Sequence, residues 1–268
     1  MRHLLFFTVV MTTVCALVFP LNVMAQRYHP QEEIESGISS ICTQNHLRED
    51  CWYLDGCFMH YSDDGFTSCV GVDVSKWNGD IDFDTLKQQG VEFVIVRAGF
   101  RGYETGDIVA DERFSEYVEG ALNAGLKVGA YFYSQAIDED EAVEEAMFVL
   151  DSIAGYDIEM PVYFDTEDVR QGESRTDIMA TANFNMNAKA FCETIESYGY
   201  RAGIYASQEW IRKNLDLAQL ADYEIWYASY NSTPGREHGF DMWQYTDSGC
   251  LEGCYEYLDL NVRVERIY

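Results

Sequence analysis

Two carboxylates set two residues apart, Asp165 and Glu167, stand in the run Pro161-Val162-Tyr163-Phe164-Asp165-Thr166-Glu167-Asp168. The run reads as a short apolar strand that ends in acid. A strand repeats its side-chain direction every two residues, so Asp165 and Glu167 point to one side with Tyr163 below them, while Phe164 and Thr166 face the other way. Paired carboxylates on one face suit general acid chemistry at a sugar linkage, because crowding keeps one protonated while the other stays ionised. The plainer alternative is a strand running into a solvated acidic turn, in a chain already rich in Asp and Glu.

The elements that must position this pair alternate along the chain from Val70 onward. Val70 to Val74 forms a compact strand, Asp82 to Gln89 a short helix stopped by Gly90, and Val91 to Ala98 a buried strand. A loop runs through Gly106, and Asp111 to Asn123 has a helical packing side built from Phe114, Val118, Ala121 and Leu122. Leu126 to Tyr133 is the third strand, Asp138 to Ile153 an acidic helix, and the acidic strand comes next. A long helix from about Thr176 to Tyr198 and a fifth strand, Tyr200 to Ala206, follow. The rhythm then changes: Glu224 to Tyr230, Phe240 to Tyr245 and Tyr257 to Val262 read as strands without full helices between them. This order predicts an α/β fold, a modified, incomplete β/α barrel that is TIM-barrel-like but short of helices. No Gly-rich dinucleotide turn, phosphate-binding loop or zinc-protease helix interrupts it.

In such folds reacting groups gather beyond the C-terminal ends of the strands. That rule gives Asp73 from the first strand, Tyr131 or Tyr133 from the third, and Asp165 with Glu167 from the fourth. The fifth contributes Tyr205 or Ser207, and the later strands contribute Trp226, Asp241, Trp243, Gln244 and Asp259. Carboxylates and amides read sugar hydroxyls, and aromatic rings stack on the apolar faces of sugar rings. Taken singly, each aromatic is more simply a core residue. The five His residues lack ligand-like spacing, so neither a metal nor another cofactor is expected.

The 268-residue chain opens with Arg2 and His3 before an apolar stretch from Leu4 to Phe19, and Val23-Met24-Ala25 precedes Gln26. This is a secretory leader pattern over residues 1–25, with an uncleaved anchor as the alternative. The protein released by cleavage is expected to be secreted, free of the membrane and monomeric. Its 46 acidic and 18 basic side chains, a formal charge of −28, disfavour nucleic acid as a partner. Residues 26–69 form a Cys-rich extension too short for a core of its own, expected to cap the main domain of residues 70–268. Trp52 or Tyr53 offers a sugar contact there as the alternative. Of the eight cysteines, Cys42, Cys51, Cys57 and Cys69 are expected to form two bridges with the pairing open, and Cys250 with Cys254 to close a small loop. Cys192 remains as a buried free thiol. Asn231-Ser232-Thr233 fits an N-glycosylation pattern.

An ordered set of segments resembles the glycoside hydrolase family 25 lysozymes, the N-acetylmuramidases of the Chalaropsis type. It starts with Gly71-Val72-Asp73-Val74-Ser75-Lys76-Trp77-Asn78-Gly79 and Phe93-Val94-Ile95-Val96-Arg97-Ala98. It continues through Gly129-Ala130-Tyr131-Phe132-Tyr133, Asp165-Thr166-Glu167 and Gly203-Ile204-Tyr205-Ala206-Ser207. Ile225 to Tyr230, Met242-Trp243-Gln244-Tyr245 and Leu258-Asp259-Leu260-Asn261 complete it. The resemblance covers residues 70–268 and implies a modified β/α barrel that hydrolyses the β-1,4 bond between N-acetylmuramic acid and N-acetylglucosamine in bacterial peptidoglycan. It implies Glu167 as general acid/base and Asp165 as the carboxylate that orients the substrate's 2-acetamido group in a retaining reaction. Asp73 and Asp259 match further acidic positions, with Asp241 a less certain fifth. Substrate-assisted chitinases carry Asp-x-x-Asp-x-Asp-x-Glu, where this chain has Met160, Tyr163, Asp165 and Glu167. A glycan-binding barrel without activity and a hydrolase of a related amino-sugar polymer such as chitin stand as alternatives.

Overall fold

Strand alternation sorts the apolar side chains into two cores, one inside a ring of strands and one outside it. The computed structural model describes residues 44–169, 174–177 and 179–267; the expected leader and Cys42 lie outside them. The chain begins with a hairpin of β1 (Trp52–Asp55) and β2 (Phe58–Tyr61) and continues into β3 (Phe66–Val74). Next come α1 (Phe83–Gln88), β4 (Phe93–Arg101), β5 (Ile108–Ala110), α2 (Phe114–Asn123), β6 (Lys127–Tyr133) and α3 (Glu139–Ile153). The acidic strand is β7 (Val162–Asp165), followed by α4 (Thr181–Ser197), β8 (Ala202–Ser207) and α5 (Gln208–Asn214). The chain finishes with β9 (Glu224–Ala228), β10 (Met242–Gly249) and β11 (Leu258–Arg266).

The sheet runs β3-β11-β10-β9-β8-β7-β6-β4, and β3 pairs again with β4, so the barrel closes; β5 hangs on β4 as an extra edge. The ring of strands is complete, and the modification lies elsewhere. β11 runs antiparallel to both β10 and β3, which carries its first residues, not its last, to the mouth. Strand β3 starts four residues before the expected Val70, because Phe66 to Cys69 pair with Arg266 to Arg263 of β11.

Inside the barrel Phe93, Ile95, Tyr163, Trp226 and Met242 pack as a floor. Gly71 makes room for this floor: a Cβ there would strike the Phe93 ring. Outside, the long helices cover the first strands, as where Phe164 meets Phe191 of α4 at 5.3 Å between ring centroids. Helix α3 starts where the Asp138 side chain accepts the Glu141 amide at 3.0 Å, with three acids in its first turn to suit the helix dipole.

No long helix follows β9 or β10, and the N-terminal hairpin packs there instead. Trp52 sits 5.3 Å from Trp243 and 6.3 Å from Phe240, while the Tyr245 hydroxyl accepts the Met59 amide and donates to the Cys57 carbonyl. Trp52 is thus a packing residue, and only Tyr53 of the two aromatic neighbours is exposed.

The cysteines depart from the expected bridges: Cys51, Cys57, Cys69, Cys250 and Cys254 are free thiols, as is Cys192. The reason is direction. Cys69 belongs to the barrel-interior core and approaches Glu265, and the Cys254 sulfur faces the Asn78 carbonyl.

Candidate active site

The parity of β7 decides the geometry. Tyr163 points into the barrel floor, Phe164 outward to α4, and Asp165 inward again above Tyr163. One step on, Thr166 turns outward, where its hydroxyl accepts the Trp210 indole N–H at 3.2 Å. Glu167 returns to the mouth, half-buried, and acts on Asp165 as a like charge. Asp165 is buried, and its Oδ1 has no hydrogen-bond partner. Burial, then the charges of Glu167 and Asp73, push its carboxyl well above the usual range, and the Arg97 guanidinium offsets part of this.

A second acidic pair faces the first. Asp73 near the end of β3 and Asp259 near the start of β11 are register partners. Burial first, then the nearby Asp259 charge, raises the Asp73 carboxyl well above its ordinary value. Gln244 and Asn261 work against that shift: the Gln244 Nε2 and the Asn261 Nδ2 each donate to Asp73 Oδ2 at 2.8 Å.

Gln244 is the junction of the cavity. Its Nε2 also reaches Asp259 at 3.5 Å, and its Oε1 accepts the hydroxyls of Tyr205 and Tyr230, each at 3.0 Å. Replacing it with Leu leaves a buried carboxylate and a buried hydroxyl short of a partner. We expect Gln244→Leu to lose about 1–3 kcal/mol of stability, read by urea unfolding, with a fall in turnover at unchanged secondary structure.

The other sequence-derived residues divide by parity and by strand end. Tyr131, Tyr133 and Tyr205 lie on inward faces; Tyr133 is the register partner of Asp165, and the Tyr131 ring meets Trp226 at 5.9 Å. Trp226 is deeper, its indole N–H held by Asn261 Oδ1 at 2.8 Å, so it supports the cavity from beneath. Trp243, next to Gln244, faces outward into the hairpin and donates to the Ser229 carbonyl; the structure does not bring it to the cavity. Asp241 precedes β10 and lies at the opposite end of the barrel. There it accepts the Ile225 amide at 2.8 Å, and burial followed by the Glu224 charge raises its carboxyl to about 6. Ser207 caps α5 through the Trp210 amide.

Three site residues escaped the sequence reading, although period two marks two of them. Asn261 shares the inward face of Asp259, and Arg97 that of Phe93 and Ile95. Asp111 anchors Arg97 at 2.8 Å, accepts the Lys76 amide at 3.1 Å and fixes the rim beside β3. Among the described residues no group of three His, Cys, Asp or Glu side chains is arranged to hold a metal ion, and no helix is long and apolar enough to cross a membrane.

The family model of the glycosyl hydrolases family 25 matches residues 72–254. The autolytic lysozyme of Clostridium acetobutylicum is 29% identical over 192 residues, which are 71% of this chain and 54% of that protein. A family 25 glycosyl hydrolase from Bacillus anthracis superposes with a TM-score of 0.62 at 25% identity, covering 78% of this chain and 94% of the other. The modular autolysin LytC from Streptococcus pneumoniae gives a TM-score of 0.64 at 20% identity, covering 79% of this chain and 51% of that one. This chain therefore spans about half the length of the autolytic lysozyme and of the modular autolysin.

Proposed function

The chain belongs to the glycosyl hydrolases family 25, and from that premise we propose that it is a lysozyme acting on peptidoglycan outside the cell, cutting the β-1,4 bond between N-acetylmuramic acid and N-acetylglucosamine. One observation carries this reading: Asp165 and Glu167 converge at the mouth of the barrel, facing the Asp73–Asp259 pair, within a rim of tyrosines. Such a cavity suits a reaction that develops positive charge on a sugar ring and needs one proton for the departing oxygen.

Asp165 and Glu167 are close enough that the charge on Glu167 bears on the Asp165 proton. Burial, then the charges of Glu167 and Asp73, raise the Asp165 carboxyl; when the proton sits on Glu167 the larger of those two like charges is gone, and Arg97 favours the Asp165 anion. In that state Glu167 protonates the bridging oxygen as the bond to the anomeric carbon breaks. The substrate's 2-acetamido oxygen attacks the same carbon from the other face, while the Asp165 carboxylate takes the amide N–H and balances the charge. Water then attacks the anomeric carbon, gives its proton to Glu167 and reopens the ring, so the configuration is retained. Asp73 and Asp259, spaced by Gln244 and Asn261, complete the negative field and accept sugar hydroxyls.

The test is mass spectrometry of fragments released from purified peptidoglycan, after borohydride reduction of new ends. Muramitol ends support the reading. Glucosaminitol ends from peptidoglycan, or turnover confined to chitin, would reassign the bond cut.

A further inference from the structure

Trp77 is 73% exposed, and no other tryptophan among the described residues is left open to this degree. It lies four positions past Asp73 in the 3-10 turn Lys76–Asn78, on the rim of the acidic cavity. An exposed ring on a mobile loop would be unremarked, but this turn is braced from four directions. Asn78 Oδ1 accepts the Ser75 amide at 2.8 Å, and Asn78 Nδ2 donates to the Tyr257 carbonyl at 3.0 Å. Lys76 N–H is bound by Asp111, and the Tyr117 hydroxyl donates to the carbonyl of Gly79, whose φ of 64° ends the turn. The Lys76 ammonium covers one face of the indole, 5.1 Å from its centroid. Tyr257, whose carbonyl holds Asn78, is itself 63% exposed and stands two residues before Asp259.

Two exposed rings therefore stand on hydrogen-bonded neighbouring segments that lead from Asp73 and into Asp259. Both are large and rigid, so ordering them on a ligand costs little entropy. Their occupant must present an apolar face while tolerating acid close by, since Asp80, Asp82 and Glu252 line a cavity of about 510 Å³ formed by the residues that follow the Trp77 turn and precede Tyr257 in the chain. A β-linked amino-sugar ring does both: its axial C–H bonds make an apolar face, and its hydroxyls and amide donate to carboxylates.

We propose that Trp77 and Tyr257 form a stacking platform for a sugar ring of the glycan strand outside the two that flank the cleaved bond, so that the enzyme favours long strands over short ones. The identity of the polymer rests on the function proposed above; the platform does not require that cleavage occur.

The experiment uses Glu167→Gln protein as a non-cleaving binder, with and without Trp77→Ala or Trp77→Phe. Peptide-free strands of alternating N-acetylglucosamine and N-acetylmuramic acid, one set of two sugars and one of at least six, are titrated by calorimetry. Trp77→Ala is expected to weaken the long strands by about tenfold and leave the short ones unchanged, with Trp77→Phe restoring most of the loss. Equal loss on both lengths, or no loss on either, overturns the platform. A change in sedimentation with Trp77→Ala at unaltered strand affinity also overturns it, by showing that the ring packs on a second copy. If unmodified protein releases no reducing ends yet long strands bind in a Trp77-dependent way, the hydrolytic reading fails and the platform stands.

Discussion

Glu167→Gln is expected to lower release of reducing ends from peptidoglycan by about 10³- to 10⁴-fold, with an unfolding transition close to that of the parent protein. The size follows from the leaving group, because a sugar alkoxide departs only if a proton reaches it, and Gln has none to give. Folding should tolerate the change, since Glu167 lies past the last residue of β7 and is half-buried. Removing its charge also relieves the buried Asp165 carboxyl of the larger of its two like-charge neighbours. The leaving group supplies the control. An aryl glycoside whose phenol departs unaided should be cut by the variant with a much smaller deficit. Asp165→Asn, by contrast, should be deficient on both substrates, because charge on the ring must be balanced whichever group leaves. Kinetics on the two substrates check the assignment, and an equal deficit for Glu167→Gln on both would remove Glu167 from the acid role.

Arg101→Met is expected to cost about 3–5 kcal/mol of stability near neutral pH, the usual result of stripping the partner from a buried charge. Arg101, 4% exposed, donates from Nε to Glu145 Oε1 and from Nη2 to Glu144 Oε2, each at 2.7 Å, and from Nη1 to the Gly106 carbonyl at 2.6 Å. It joins the end of β4 to α3, and Arg175 of the segment after β7 ties into the same helix through Glu141 at 2.8 Å. Glu145 is fully buried; burial raises its carboxyl from 4.5 to about 7, against hydrogen bonds from Ser134 and Arg101. A folded-state value above the unfolded one means the native protein holds the proton longer. Glu145 therefore lends stability below about pH 4.5 that is lost as pH rises towards about 7. Without Arg101 the same loss should deepen and extend to higher pH, so the variant's deficit should be larger near about pH 8 than near about pH 5. Urea unfolding at both pH values, with Glu145→Gln as a variant lacking this slope, measures it. A deficit independent of pH would show that packing alone is lost.

Period two made much of the site legible. The inward set Tyr163, Asp165 and Glu167 and the outward set Phe164 and Thr166 follow from the run itself, and the start of α3 follows from Asp138. A strand limit displaced by two residues leaves parity intact but changes which end of the barrel a residue occupies. A strand drawn from Phe240 to Tyr245 makes Asp241 a strand residue. The real strand begins at Met242, leaving Asp241 at the far end of the barrel. Within that strand only one of the adjacent Trp243 and Gln244 can face the cavity, and Gln244 does because Trp243 meets the hairpin. Helix α5 leaves little trace in the sequence because it has only seven residues and is capped by Ser207, the residue that closes the preceding strand. Asp259 reached the mouth by a route the strand-end rule does not contain, the reversed direction of β11. Cysteine spacing was a poor guide because Cys69 points into the barrel, and spacing carries no information on direction.

Similarity to the family begins at residue 72, whereas the physical unit starts earlier. Trimming only the start of the protein back to residue 72 would strip Trp52 and Met59 from the wall formed by Trp243 and Tyr245, and would take Phe66 to Val70 from their pairing with β11. The short prefix acts as a surrogate for absent helical cladding. Its loss would lay bare aromatic surface on the outside of the strand that carries Gln244, so damage at the rear would be felt among the carboxylates in front.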